Sequence, residues 1–309
     1  MGGIKQGIEA SLKSRDTEET LDIWFNRPIG YLWTLFFMKL NVHPNVVTIL
    51  SIILGMAAGY MFYFPDMSHT VCGILLLMWA NFYDSADGQL ARLTGKKTRW
   101  GRMLDGFAGD IWFFCIYLAI CLRLTPQWGI WIWLVAALSG LVCHSKQCAL
   151  ADYYRNIHLY FLKGESASEL DNFKQQREIY RSLPWRHNVW WKWFLFFYGN
   201  YTRSQERMTP RFQQMFALWQ KMKGTAPAGE ARAEFIEGSR PLMKYCNFLT
   251  FNARAIALYV SMLAGMPYLY FIFELTVMNA VFFYMRSRHE RLSSAVYEKL
   301  SSGNGEERR

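Results

Sequence analysis

The chain has 309 residues, 52% of them hydrophobic and 17% aromatic, and a formal charge of +10. In a soluble protein such a charge would point to nucleic acid, but apolar runs of membrane length exclude that partner and place the chain in a bilayer. The six cysteines (Cys72, Cys115, Cys121, Cys143, Cys148, Cys246) form no CxxC pair and mostly fall within apolar segments, so they read as small core residues rather than a zinc or disulfide framework.

In chain order, residues 1–20 are polar and show no cleavable signal peptide, and 8–25 predict a short surface helix. The stretch 28–42 begins at Pro28 and sets Tyr31, Trp33, Phe36, Phe37 and Met38 beside Lys39, the profile of a helix lying in the membrane interface. Six spans follow, at about 45–64, 71–91, 103–122, 128–148, 245–263 and 268–285. Arg92, Lys96, Lys97, Arg99 and Arg102 lie between the second and third spans, and Arg286, Arg288 and Arg291 follow the sixth. That distribution predicts a multi-pass integral membrane protein with both termini, and the aspartates described below, on the cytoplasmic side. The fold class is therefore an all-α membrane protein. It comprises a cytoplasmic N-terminus and interfacial helix (1–44), a six-span domain (45–286) with a long cytoplasmic or interfacial insertion (149–242), and a cytoplasmic tail (287–309) fraying from Ser301.

The insertion carries an aromatic cluster, Trp185, Trp190, Trp191, Trp193, Phe194, Phe196, Phe197 and Tyr198, flanked by Arg181, Arg186, Lys192 and Arg203. It reads as a second interfacial element with a basic rim against anionic lipid. Residues 224–229 read as a flexible break.

The chemistry concentrates in residues 84–110. Asp84, Asp87, Gly88 and Ala91 share one helical stripe, and Gly101 and Asp105 repeat the i,i+4 spacing on the next segment. Carboxylates in a span are costly, so they mark function, and two helices presenting them supply hard oxygen ligands for a divalent cation.

This stretch resembles the signature of the CDP-alcohol phosphotransferases: Asp-x2-Asp-Gly-x2-Ala-Arg, eight residues, Gly-x3-Asp and a last Asp. Asp84, Asp87, Gly88, Ala91, Arg92, Gly101 and Asp105 carry it, and Pro44-Asn45 with Thr48 resembles the family's entry to its first span. One position departs. The family's last two aspartates are usually separated by three residues, whereas here four intervene, so Gly109 stands in the usual place and Asp110 follows it. On an ideal helix Asp110 lies roughly 140° around from Asp105. Either a π-bulge restores it or Asp110 does a different job.

The resemblance implies a metal-dependent transfer of a substituted phosphate from a CDP-linked donor to an alcohol, releasing CMP. It implies that Asp84, Asp87, Asp105 and Asp110 hold Mg²⁺ or Mn²⁺, with Asp105 and Asp110 catalytic and Asp110 also able to take the hydroxyl proton. Gly88, Ala91, Arg92 and Gly101 would accommodate the CDP moiety. The partners implied are CDP-diacylglycerol, a polar alcohol and membrane lipids, and the family commonly forms homodimers. Arg254 falls inside the fifth span and therefore needs a partner, either an aspartate of the site or an anionic group of the substrate. With Lys146 and Arg155 it forms the expected acceptor set, which makes inositol phosphate the favoured acceptor, ahead of glycerol phosphate, serine and inositol. His144 reads as a packed residue. Three other readings stay open: CDP-choline or CDP-ethanolamine given to diacylglycerol, a cation transporter, and an inactive lipid-binding scaffold.

Overall fold

The computed structural model describes residues 14–96, 98–185 and 188–306. Every regular element among them is helical, as expected. Lys97, Arg186 and residues 8–13 and 307–309 lie outside the described residues.

Local chemistry fixes where the first helices begin and end. The helix Pro44–Tyr63 starts with proline, which lacks an N–H that would have been unpaired there, and His43 Nδ1 accepts from the Asn45 amide at 3.2 Å. The aspartate helix, Met67–Thr94, is capped by Asp66 Oδ1 accepting from the His69 amide at 3.1 Å. It ends at Gly95, whose φ of 67° suits glycine. Its partner, Arg99–Trp128, begins after Thr98, whose hydroxyl accepts from the Gly101 amide at 2.9 Å.

Among the described residues four helices are long and apolar enough to cross a membrane: Pro44–Tyr63, Leu104–Trp128, Ile130–Lys163 and Tyr268–Ser302. The expected span 71–91 lies in the 28-residue aspartate helix. That helix is long enough, but its end from Asp84 to Arg92 is polar. The expected span 245–263 is divided into Met243–Phe248 and Phe251–Leu263, and the 13 residues of the second piece reach only about 20 Å, against roughly 30 Å of hydrocarbon.

Other expectations also change in detail. Of the surface helix expected over 8–25, residues 14–19 are not helical, and a π-helical turn at Asp22–Asn26 leads directly into the helix Arg27–Lys39. The tail stays helical through Glu306. Gly224 turns the chain at φ 102°, and the Thr225 hydroxyl then accepts from the Ala228 amide to start the helix Ala226–Ser239.

The chain divides into two compact units, Met1–Ser145 with Phe251–Val277 and Lys146–Thr250 with Met278–Arg309. In the first, small residues let helices meet. A Cβ on Gly55 would enter the Trp112 ring, and one on Gly59 would sit 2.8 Å from Cys115 Cβ. These contacts close a core that includes Phe62, Leu77, Trp112, Ile116 and Tyr270. A smaller cluster of Phe37, Val47, Ala86 and Leu90 seats the helix Arg27–Lys39 beside the aspartate helix.

In the second unit Tyr154 stacks on His289 with centroids 3.7 Å apart, and Phe161 packs on Phe235 and Trp219. The helix Val189–Met208 exposes Trp190, Trp193, Phe196 and Phe197. Lys192 does not join a basic rim as expected. It is buried, donates to the Leu183 carbonyl at 2.8 Å and lies over the rings of Tyr180 and Trp185.

Candidate active site

The helix Met67–Thr94 presents Asp84 and Asp87 one turn apart, and the helix Arg99–Trp128 presents Asp105 towards them. One carboxylate oxygen from each lies within 4.8 Å of the other two. Asp87 is buried, Asp84 half-buried and Asp105 exposed, so the group opens from a closed end to an accessible one. Like charges this close repel by roughly 3 kcal/mol per pair at an effective dielectric of about 20. Among the described residues nothing donates to the buried Oδ2 of Asp87. A buried, unpartnered carboxylate oxygen within a set of hard oxygen donors fits a hard divalent cation such as Mg²⁺ or Mn²⁺.

Glycine contacts set the spacing around the group. A Cβ on Gly101 would lie 2.6 Å from Asn45 Oδ1, so the helix of Asp105 closes on the start of Pro44–Tyr63 only because residue 101 is glycine. Arg92 folds back along its own helix, with Nη1 3.3 Å from where a Cβ on Gly88 would stand. Its Nε is buried and has no partner among the described residues. Ala91 is half-buried on the same stripe.

The helix Arg27–Lys39 is clipped to this region. Thr34 donates to the Ala86 carbonyl at 3.1 Å, Gln89 Nε2 donates to the Arg27 carbonyl at 3.2 Å, and a Cβ on Gly30 would lie 2.7 Å from Ser85 Oγ. Sequence reasoning placed this segment at the membrane interface and missed that it borders the aspartates.

Asp110 is not part of the three-carboxylate group. The helix Arg99–Trp128 is α-helical throughout, with no π-turn between Asp105 and Asp110, so the extra residue rotates Asp110 off the stripe by roughly 140°. Of the two alternatives posed by the spacing, the bulge is absent and Asp110 stands apart, exposed. Gly109, in the family's usual aspartate position, would place a Cβ in open space.

Arg254 also differs from expectation. Its guanidinium is fully buried and paired with Glu274, a partner the sequence reading did not name. Nη1 also lies 3.0 Å from His144 Nδ1, which Tyr117 Oη approaches at 3.3 Å, while Tyr270 Oη donates to Glu274 Oε1 at 2.8 Å. The same His144 Nδ1 stands 3.6 Å from Glu274 Oε1, so it faces a donor and an acceptor at once: a neutral ring protonated on Nε2 accepts from Arg254, and a ring protonated on Nδ1 donates to Glu274. His144 ends one π-helical turn, Leu138–His144, and Glu274 begins another, Glu274–Met278. Glu274 was missed, although a lone glutamate in the apolar run FIFELTVM is a signal of the kind that singled out Arg254. Lys146, exposed, and Arg155, half-buried, belong to the second unit.

Comparison with known proteins agrees with this geometry. Over 99 residues the chain is 34% identical to the bifunctional IPC transferase and DIPP synthase of Aquifex aeolicus, a match covering 32% of this chain and 22% of that protein. Over 92 residues it is 33% identical to the archaetidylinositol phosphate synthase of Pyrococcus horikoshii, covering 30% of this chain and 47% of that one. The matched segments thus span less than half of either relative. No solved structure matches the chain. The model of the CDP-alcohol phosphatidyltransferase family matches residues 41–158, which include Asp84, Asp87, Asp105 and the glycines that let their helices close. Over residues 41–158, the stretch that holds the three converging aspartates, the chain is similar to the CDP-alcohol phosphatidyltransferase family.

Proposed function

We propose that the protein is a membrane phospholipid synthase that transfers a phosphatidyl group from CDP-diacylglycerol to a polar alcohol and releases CMP. One observation carries the reading: Asp84, Asp87 and Asp105 converge within 4.8 Å from two helices, with a buried carboxylate oxygen left for a cation. A divalent cation bound there would offset the donor's pyrophosphate charge and polarise the phosphorus under attack. Asp84 and Asp87 orient that end of the donor from one helix and Asp105 from the other. Arg92, lying along Gly88, neutralises phosphate charge on the nucleotide side.

The acceptor hydroxyl oxygen bonds to the phosphorus that bears diacylglycerol. The bond from that phosphorus to the bridging oxygen breaks, CMP leaves, and the hydroxyl proton passes to Asp110, which stands outside the cation-binding group and so serves as base rather than ligand.

Inositol phosphate is the favoured acceptor, and the likeness to a relative named archaetidylinositol phosphate synthase supports it. Lys146 and Arg155 are the residues assigned to its phosphate. Arg254 is withdrawn from that role because Glu274 already neutralises it. The reading keeps six crossings with the aspartates facing the cytoplasm, and a homodimer by likeness to the family.

A second reading is a donor-binding member without turnover, favoured by the place of Asp110 outside the group. A CMP-release assay on purified protein, with CDP-diacylglycerol and CDP-choline as donors and a panel of alcohols, separates these. Metal-dependent CMP release from CDP-diacylglycerol that requires inositol phosphate supports the first reading. CDP binding with no release under any pairing supports the second, and release only from CDP-choline with diacylglycerol removes both.

A further inference from the structure

Beside the aspartates sits a buried ion pair that the family signature does not contain. Arg27, at the start of the helix Arg27–Lys39, donates from Nη2 to Glu18 at 2.7 Å and 2.9 Å, and both side chains are largely buried. Gln89, one residue past Gly88, holds the Arg27 carbonyl and so fixes the arginine against the aspartate helix. The charged groups that bear most on Arg92 are Arg27, Glu18, Asp105 and Asp87, and Arg27 is the cation that bears most on Asp84. Gln89 stands three residues before Arg92 on the same helix, so the two arginines are held near one another. Glu18 pairs directly with Arg27, while Arg92 keeps a buried Nε with no partner among the described residues. Guanidinium groups held together in this way repel unless an anion joins them. Both bonds to Glu18 come from Nη2, so Glu18 does not use the two-nitrogen fork that matches a phosphate.

We propose that Arg27 and Arg92 form the anion-binding side of the donor site, and that Glu18 neutralises Arg27 until a donor phosphate takes its place. The inference rests on the transferase reading and deepens it, by assigning the N-terminal segment a part in donor binding. The carboxylate of Glu18 stands in for a phosphate oxyanion: the same charge sign, and oxygens that accept from the same guanidinium. A donor carrying two phosphates offers one group to the cation held by the aspartates and another to the arginine pair. Glu18 then swings away without leaving a buried charge unpaired, because its exit coincides with the arrival of the new anion.

The test measures equilibrium binding of CDP, and separately of inorganic pyrophosphate, to the full chain in lipid nanodiscs with Mg²⁺. Arg27→Gln is expected to weaken binding of both by about tenfold or more, the scale of a charge-assisted hydrogen bond. Glu18→Gln, which removes the competing charge at nearly constant shape, is expected to tighten both several-fold. A purely structural pair predicts the opposite for Glu18→Gln, so weakened or unchanged binding in that variant overturns the proposal. So does an Arg27→Gln protein that binds both probes as wild type does. Where Arg27→Gln does not fold, Glu18→Gln decides alone. Wild-type protein that binds pyrophosphate with these responses but not CDP keeps the anion site and removes the nucleotide reading; protein that binds neither removes both.

Discussion

Arg92 lies along its own helix over Gly88, its Nη1 3.3 Å from the point a Cβ on Gly88 would occupy. An alanine there would meet only the end of a flexible side chain, so the fold tolerates it, but the guanidinium has to move. In a helix interior alanine is also favoured over glycine by about 1 kcal/mol. Gly88→Ala is therefore expected to leave thermal stability equal or slightly raised while weakening CDP binding by about tenfold. Calorimetric melting and CDP titration on the same preparation check both halves.

Asp87→Asn separates repulsion from ligation. The three carboxylates destabilise the protein when no cation offsets them, so the variant is expected to melt higher than wild type in EDTA. In Mg²⁺ the order reverses, because wild type gains RT ln(1 + [L]/Kd), about 2.7 kcal/mol at a hundredfold excess over Kd, and the variant does not. CMP release should fall to background. A variant that keeps both the Mg²⁺-dependent shift and turnover would remove the cation assignment.

The spacing between the last two aspartates gives a rescue experiment. Asp110→Asn is expected to abolish turnover while Mg²⁺-dependent stabilisation persists, since Asp110 lies outside the group. Adding Gly109→Asp to that variant puts a carboxylate one α-helical turn after Asp105, in space that holds nothing within 4 Å of a Cβ. Part of the lost CMP release should return. Full turnover in Asp110→Asn alone would take the proton-acceptor role away from Asp110.

For Arg254 the expected defect is structural. Removing one member of a buried ion pair typically costs about 3–5 kcal/mol, because the other is left uncompensated. Arg254→Ala is expected to lower stability on that scale, and Arg254→Met with Glu274→Leu to recover most of it. Denaturation in mixed micelles measures this. Donor and acceptor KM should shift together in whatever active protein remains, and a selective rise in acceptor KM would restore Arg254 to the acceptor site.

The aromatic helix Val189–Met208 predicts contact with lipid. An environment-sensitive label on Trp193→Cys should be blue-shifted in proteoliposomes and quenched by lipid-borne spin labels. A label at Lys192, buried under Tyr180 and Trp185, should respond to neither lipid nor aqueous quencher.

Much of the site was legible in one dimension. Asp84, Asp87 and Gly88 are neighbours on a helical stripe whatever surrounds them, and Gly101 and Asp105 share the same spacing, because helical periodicity turns sequence distance directly into direction. The all-helical fold followed from apolar runs of membrane length, too long for strands. Contacts between distant segments carry no such period. The pairing of Arg254 with Glu274, the seat of Arg27 beside Glu18 and Gln89, and the burial of Lys192 join residues whose separation along the chain says nothing about proximity. Even the fate of Asp110 depended on whether a helix absorbs one residue as a bulge or rotates past it, a choice set by packing along the whole helix. The sequence determined which residues point the same way on each helix. Only the tertiary structure decided which helices face one another, because that depends on small residues such as Gly55, Gly59 and Gly101 letting particular surfaces close.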